Sequence, residues 1–173
     1  MLFRSPSPAP TFKEVSVGTT HACAVDSSGK AWCWGSEANG RLGNSVNRGT
    51  TKDSPSQVPN SGSTYTFTSI TSGNAHTCAL SGTTAYCWGS GSNGKLGNGS
   101  TTGDSSTPQQ VSGSHIFSKI RAGSGHTCGL TTDGAIYCWG SGSNGKLGNG
   151  STTGDASTPQ LVSEPGSTRW TDL

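Results

Sequence analysis

The chain has 173 residues, a net charge of +2 and charged side chains at only 12% of positions. With no basic cluster and no run of like charge, neither nucleic acid nor an anionic membrane is expected as a partner. No apolar segment approaches the roughly 18 residues of a membrane span. Hydrophobic residues amount to 28%, yet 27 glycines and regularly placed aromatics fit turn-dense β structure better than disorder.

Residues 1–11 are rich in Pro and Ser and lack the apolar core of a secretory signal, so they read as an extended tail. From residue 12 onward four landmarks recur. The first reads Phe12-Lys-Glu-Val15, Phe67-Thr-Ser-Ile70, Phe117-Ser-Lys-Ile120 and Trp170-Thr-Asp-Leu173, at spacings of 55, 50 and 53 residues. The second, after each of the first three, is a Gly-x-x-His-x-Cys strand, a short turn and a return strand ending Cys-Trp-Gly. A glycine-rich loop follows: Asn39-Gly-Arg-Leu-Gly-Asn44, Asn93-Gly-Lys-Leu-Gly-Asn98 and Asn144-Gly-Lys-Leu-Gly-Asn149. The unit closes with a Pro-led strand at 54–58, 107–111 and 158–162. Three repeats are thus expected at 12–66, 67–116 and 117–169, with 170–173 opening the first strand of a further one. Residues 86–104 and 137–155 are identical.

No segment carries a helical period of apolar residues, and the short apolar runs alternate at period two. The third repeat is expected to form strands at 117–122, 127–130, 135–139 and 158–162. Four short antiparallel strands every ~50 residues describe a β-propeller blade. The expected fold is therefore all-β: three four-stranded blades, short of a complete ring within one chain.

The hairpin register follows from the turns. In repeat three, Thr132-Asp133-Gly134 fits a type I turn with a left-handed glycine and a bulge, which sets Cys128 opposite Cys138. Ser27-Ser28-Gly29 does the same for Cys23 and Cys33. Repeat two is one residue shorter, and a Gly82-Thr83 two-residue turn again brings Cys78 opposite Cys87. Each pair falls on a non-hydrogen-bonded position, where Cα atoms lie about 4.5 Å apart, at the short end of disulfide geometry. Three intra-hairpin disulfides are the preferred reading. Buried free thiols, or metal held by each His-x-Cys pair with the facing cysteine, are the alternatives; the spacing suits zinc poorly.

His21, His76 and His126 occupy equivalent positions, and one active site does not need three copies. A structural hydrogen bond to a loop carbonyl or hydroxyl is expected for each. Trp34, Trp88 and Trp139 lie on the face opposite the cysteines and read as core between packed blades. Trp32 replaces Tyr86 and Tyr137 and is expected to be partly exposed; the unrepeated His115 is expected to be exposed. The Asn-Gly loops lack the Gly-Lys-Ser/Thr of a phosphate-binding loop and read as turns for close blade packing. Asn98-Gly99-Ser100 and Asn149-Gly150-Ser151 have the form of glycosylation acceptors. No catalytic constellation stands out, and neither an enzyme nor a cofactor is expected.

The Gly-x-x-His-Thr-Cys strand, the Asp-Gly turn, Tyr-Cys-Trp-Gly, Asn-Gly-Lys-Leu-Gly and Thr-Pro-x-x-Val together resemble the regulator-of-chromosome-condensation repeat family, over residues 12–173. The cysteines look like those of its bacterial or environmental branch. The resemblance implies a β-propeller, commonly of seven blades, acting mostly through protein–protein contacts. Family roles include nucleotide exchange on a small GTPase, light sensing through clustered tryptophans and inhibition of a secreted β-lactamase; they do not transfer here, since the exchange factor's loop and wedge features have no counterpart and the photoreceptor's tryptophan cluster lies in a different motif from Cys-Trp-Gly. Three blades leave open faces at each end. The expected function is a non-enzymatic scaffold, extracellular or at the cell surface, that associates with copies of itself and binds proteins. A structural subunit of an extracellular filament and an intracellular regulator of a GTPase-like partner are the alternatives. Six blades from two chains would make a ring, and non-closing head-to-tail contacts a filament.

Overall fold

The computed structural model describes residues 9–46, 49–59, 64–163 and 170–173. Among these residues twelve strands form three separate four-stranded antiparallel sheets, each a simple meander. Blade one comprises β1 (Phe12–Val17), β2 (His21–Asp26), β3 (Ala31–Ser36) and β4 (Thr51–Gln57). Blade two comprises β5 (Phe67–Ser72), β6 (His76–Ser81), β7 (Thr84–Gly89) and β8 (Ser105–Gln110). Blade three comprises β9 (Phe117–Ala122), β10 (His126–Thr131), β11 (Ile136–Gly140) and β12 (Ala156–Leu161). These are propeller blades, and the ring is not closed. The outer strands begin two or three residues before the sequence pattern places them, because pairing with the Cys-Trp-Gly strand continues past the proline to Thr51, Ser105 and Ala156.

Turn chemistry sets the hairpin register as the sequence implies. Gly29 and Gly134 sit at φ +81° and +86° at the ends of the three-residue turns, and Gly82 at +59° opens the shorter one. In every blade the two cysteines face each other across the central strands. After each return strand, one 3₁₀ turn carries an Asn with positive φ: Asn39 at 59°, Asn93 at 61° and Asn144 at 61°. Asparagine tolerates this left-handed region better than most side chains, which is why it precedes the loop glycine each time.

The core lies between the blades. One cluster joins Val25, Ala31, Leu42 and Val58 of blade one to Phe67, Ile70 and Trp88 of blade two. A second joins Leu80, Leu96 and Val111 of blade two to Phe117, Ile120 and Trp139 of blade three. A sheet this small buries its apolar face only against a neighbour, so each blade is completed by the next. The third cluster joins Leu130, Ile136 and Leu147 of blade three, and Leu173 packs on it.

The candidate interaction site: two blade junctions and two open faces

Each blade has a trailing face, turned to the next blade, and a leading face, turned to the one before. Strand alternation assigns them. His76 and Cys78 point to the trailing side of β6, while Thr77 between them points to the leading side. Two junctions are occupied, and both are built from the same parts.

At the first junction His21 Nε2 lies 2.8 Å from the Thr77 hydroxyl, which in turn donates to the Arg41 carbonyl at 2.9 Å. At the second, His76 Nε2 lies 2.9 Å from the Thr127 hydroxyl, which donates to the Lys95 carbonyl at 3.1 Å. Because the threonine proton goes to the carbonyl, the imidazole must donate through Nε2 and remain neutral, with Nδ1 bare. Nδ1 of both rings is buried without a partner among the described residues, so a second proton there would find no acceptor. Burial accordingly depresses both histidines, with Arg41 beside His21 and Lys95 beside His76 adding to it. His21 falls to about 4 and His76 to about 3.

A second contact crosses each junction at the rim. Asn39 donates to the Asp104 carboxylate at 2.8 Å, and Asn93 to Asp155 at 2.6 Å. The same aspartates accept the backbone N–H groups of Gly91 and Gly142 in their own blades. The loops also cap the tryptophans. A Cβ on Gly43 would sit 2.7 Å from the Trp88 indole nitrogen, and one on Gly97 2.7 Å from that of Trp139. Only glycine permits this approach. Trp139 donates its indole N–H to the Lys95 carbonyl at 3.0 Å, whereas the Trp88 nitrogen is buried without a partner among the described residues.

The six cysteines form the disulfides Cys23–Cys33, Cys78–Cys87 and Cys128–Cys138, with Cα atoms 4.1 Å apart in each. They lie on the trailing faces: Cys23 Sγ is 3.7 Å from the Thr77 hydroxyl, and Cys78 Sγ 3.9 Å from that of Thr127. Trp88 and Trp139 are fully buried on the leading faces of blades two and three, while Trp34, on the leading face of blade one, is half-buried. His126 is half-buried, and burial together with Lys146 lowers its pKa. His115 is not exposed as the sequence suggests: its ring lies 4.0 Å from Tyr137, in the place where Tyr65 packs on Tyr86 in the preceding blade.

Blade one departs from the pattern in two places that sequence reading passed over. Trp32 donates to Asp26, and this carboxylate also accepts from Ser28 and Lys30. Burial pushes the Asp26 carboxyl up, but the hydrogen bonds from Ser28, Trp32 and Lys30 outweigh it and bring it to about 2. Glu37, almost fully buried, accepts hydrogen bonds from Asn44 and Thr50 and ties down the loop before β4. The signal for both was the loss of repeat identity at positions 26, 32 and 37.

The open faces are unlike the occupied ones. Val15 is 60% exposed, whereas its counterparts Ile70 and Ile120 are 3% and 1% exposed. Phe12 and Val17 extend this bare leading face. Among the described residues no three His, Cys, Asp or Glu side chains group as metal ligands, and no helix is long and apolar enough to cross a membrane.

Stacked four-stranded blades, joined by a repeated His–Thr–carbonyl relay, define a propeller-repeat segment with polarity from its first blade to its third. The Regulator of chromosome condensation (RCC1) repeat matches residues 28–80, 84–130 and 133–173, and a second form of it matches 12–41 and 117–146. The chain belongs to this family. It is similar to the Ultraviolet-B receptor UVR8 of Arabidopsis thaliana, 33% identical over 153 residues, which cover 86% of this chain and 33% of that protein. It is also similar to the E3 ubiquitin-protein ligase HERC2 of Homo sapiens, 33% identical over 141 residues, 80% of this chain and 3% of that one. Among solved structures, Prp20p of Saccharomyces cerevisiae superposes with a TM-score of 0.77 at 22% identity, over 90% of this chain and 39% of that chain. Human WBSCR16 gives 0.78 at 18% identity, over 92% and 39%. The chain thus spans about a third of the length of UVR8, 3% of HERC2 and about two fifths of the two solved structures.

Proposed function

We propose that this segment is a non-enzymatic scaffold that works by binding proteins through its open blade faces, in an extracellular or cell-surface setting. The observation that carries the reading is the contrast between occupied and open faces. Among the described residues Phe12, Val15 and Val17 are exposed, whereas Ile70 and Ile120 are buried. Apolar patches of this kind mark contact surfaces. Prp20p, whose fold this chain shares, is a protein with binding properties towards Gsp1p and histones and is known bound to Kap60. Protein binding by a propeller is what we carry over; those partners are not.

The setting is argued from the disulfides. Three of them in one short chain suit an oxidising compartment rather than a reducing cytosol. Self-association, as a ring or a filament, is the narrower form of the proposal, and it requires one copy's trailing face to accept the next copy's leading face. Light scattering across a range of concentrations tests that form: a growing mass supports it, and a constant monomer mass removes it. Thiol counting on denatured, unreduced protein taken from its source tests the setting. Six free thiols would overturn it.

A further inference from the structure

Blade one carries a group of side chains that its two sister blades lack. The Glu37 carboxylate, 2% exposed, accepts the Asn44 amide N–H on Oε1 at 3.0 Å. The ammonium of Lys52, a side chain 46% exposed, lies 3.8 Å from the same oxygen. The Thr50 hydroxyl donates to the other oxygen, Oε2. Asn44 Oδ1 accepts the Val46 N–H at 3.1 Å, so a backbone donor polarises the carbonyl of this side-chain amide. An amine and an amide thus meet at one oxygen of a buried carboxylate, in the loop that leads into β4.

The repeats supply the comparison. Asn98 and Asn149 stand where Asn44 stands, and each accepts a backbone N–H in the same way, from Ser100 and Ser151 at 3.2 Å. The amide and its turn are therefore common to all three blades and shape the loop. The acid and the amine are not common. Gly91 and Gly142 replace Glu37, and the strand register puts Ser105 and Ala156 opposite the Cys-Trp-Gly glycine, where blade one has Lys52. A Cβ on Gly91 would sit 2.0 Å from the Gly103 carbonyl oxygen, and one on Gly142 1.8 Å from that of Gly154, so those loops have no room for an acid. In blade one the loop has a different course, and it brings the carboxylate and the lysine to the asparagine together.

We infer that Lys52 and Asn44 join in an intramolecular isopeptide bond, with Glu37 as the proton relay. The Glu37 carboxylate takes a proton from the Lys52 ammonium and leaves a neutral amine. A turn of the lysine stem brings Nζ to Asn44 Cγ, and the nitrogen lone pair forms the new C–N bond. Negative charge gathers on Oδ1, where the Val46 N–H already points. Glu37 returns its proton to Nδ2, the Cγ–Nδ2 bond breaks and ammonia leaves towards the exposed side of the lysine. The carboxylate takes the second proton from Nζ and passes it to the ammonia. One amide bond forms and one breaks, so the step requires no oxidant, reductant or co-reactant. Holding amine and amide at one oxygen turns an encounter between two molecules into a local rearrangement. The product ties the loop to β4, which is an edge strand of its sheet. This inference is independent of what the open blade faces bind.

The test incubates the full folded chain at neutral pH, then reduces and alkylates it and measures its intact mass. Loss of one ammonia is expected to grow with time. A succinimide at an Asn-Gly pair loses the same mass, so trypsin locates the change. Trypsin does not cleave after an acylated lysine, and the expected product is a branched species joining residues 42–48 to residues 49–95 through Asn44 and Lys52. Glu37→Gln keeps the shape of the relay and removes its basicity. Lys52→Arg keeps the positive charge and removes the amine, at a half-exposed position where folding is not at stake. Both variants, checked for native circular dichroism, are expected to give no branched peptide, and Asn98 and Asn149 of the parent chain are expected to stay unbranched. Complete cleavage after Lys52 with Asn44 intact overturns the inference. So does a branched peptide that forms equally in Glu37→Gln, and so does ammonia loss confined to asparagines other than Asn44.

Discussion

Thr127→Val isolates the polar relay at the second junction. Valine keeps the shape and strand preference of threonine, so the packing around it is preserved. Thr127 is fully buried and serves two partners: it accepts from His76 Nε2 and donates to the Lys95 carbonyl. Valine leaves the His76 imidazole N–H buried and unpaired, at about 1–3 kcal/mol or about 2 kcal/mol as a central figure, while the Lys95 carbonyl keeps the Trp139 indole N–H. For a chain of this length each kcal/mol moves the thermal midpoint by roughly 2–4 °C, so a fall of about 4–8 °C is expected. Thr152→Val, on an exposed loop, serves as the control and is expected to move stability by no more than about 0.5 kcal/mol. The assay is thermal unfolding followed by circular dichroism, paired with NMR detection of the His76 Nε2–H. If Thr127→Val melts with the control and the His76 N–H stays protected, the relay contributes nothing and the reasoning from buried pairing is wrong.

Acid should weaken the junctions in a defined window. His21 and His76 titrate at about 4 and about 3 when folded, below the ordinary value of 6.5. Unfolded chains therefore take up protons first as pH falls. Stability is complete above pH 6.5 and declines between pH 6.5 and about 4 for His21, continuing to about 3 for His76; the His21 share alone is on the order of 3 kcal/mol. Urea midpoints measured at pH 7.5, 5.5 and 4.5 that do not decline would contradict this. Removing one disulfide as the pair Cys78→Ala and Cys87→Ala opens a hairpin loop with a sequence separation of 9 residues and should cost about 2–3 kcal/mol by chain entropy, read as a lower urea midpoint. Gly97→Ala should be clearly more damaging than Gly103→Ala. Both have positive φ, but only the first would press a Cβ against Trp139, adding about 1–3 kcal/mol of overpacking; equal midpoints would show that the loop yields.

Within one blade the sequence was nearly sufficient. Local rules act over a few residues there: turn length sets which residues face each other, and alternation sets which side each points to. Cys128 opposite Cys138 and the shorter Gly82-Thr83 turn follow from those rules alone, as does the separation of Cys33 and Trp34 onto opposite faces. The outer strands began earlier than their prolines suggested, because edge pairing depends on the neighbouring strand rather than on the segment's own residues. The structural hydrogen bond of His21 and His76 was expected from the sequence, but the group each one meets was decided by tertiary structure. His76 and Thr127 are 51 residues apart, and their meeting depends on how one sheet rotates onto the next. The same is true of Asn93 with Asp155 and of Gly97 beneath Trp139. A blade's identity is therefore readable along the chain, but its compatibility with a neighbour is a property of two faces brought together in space.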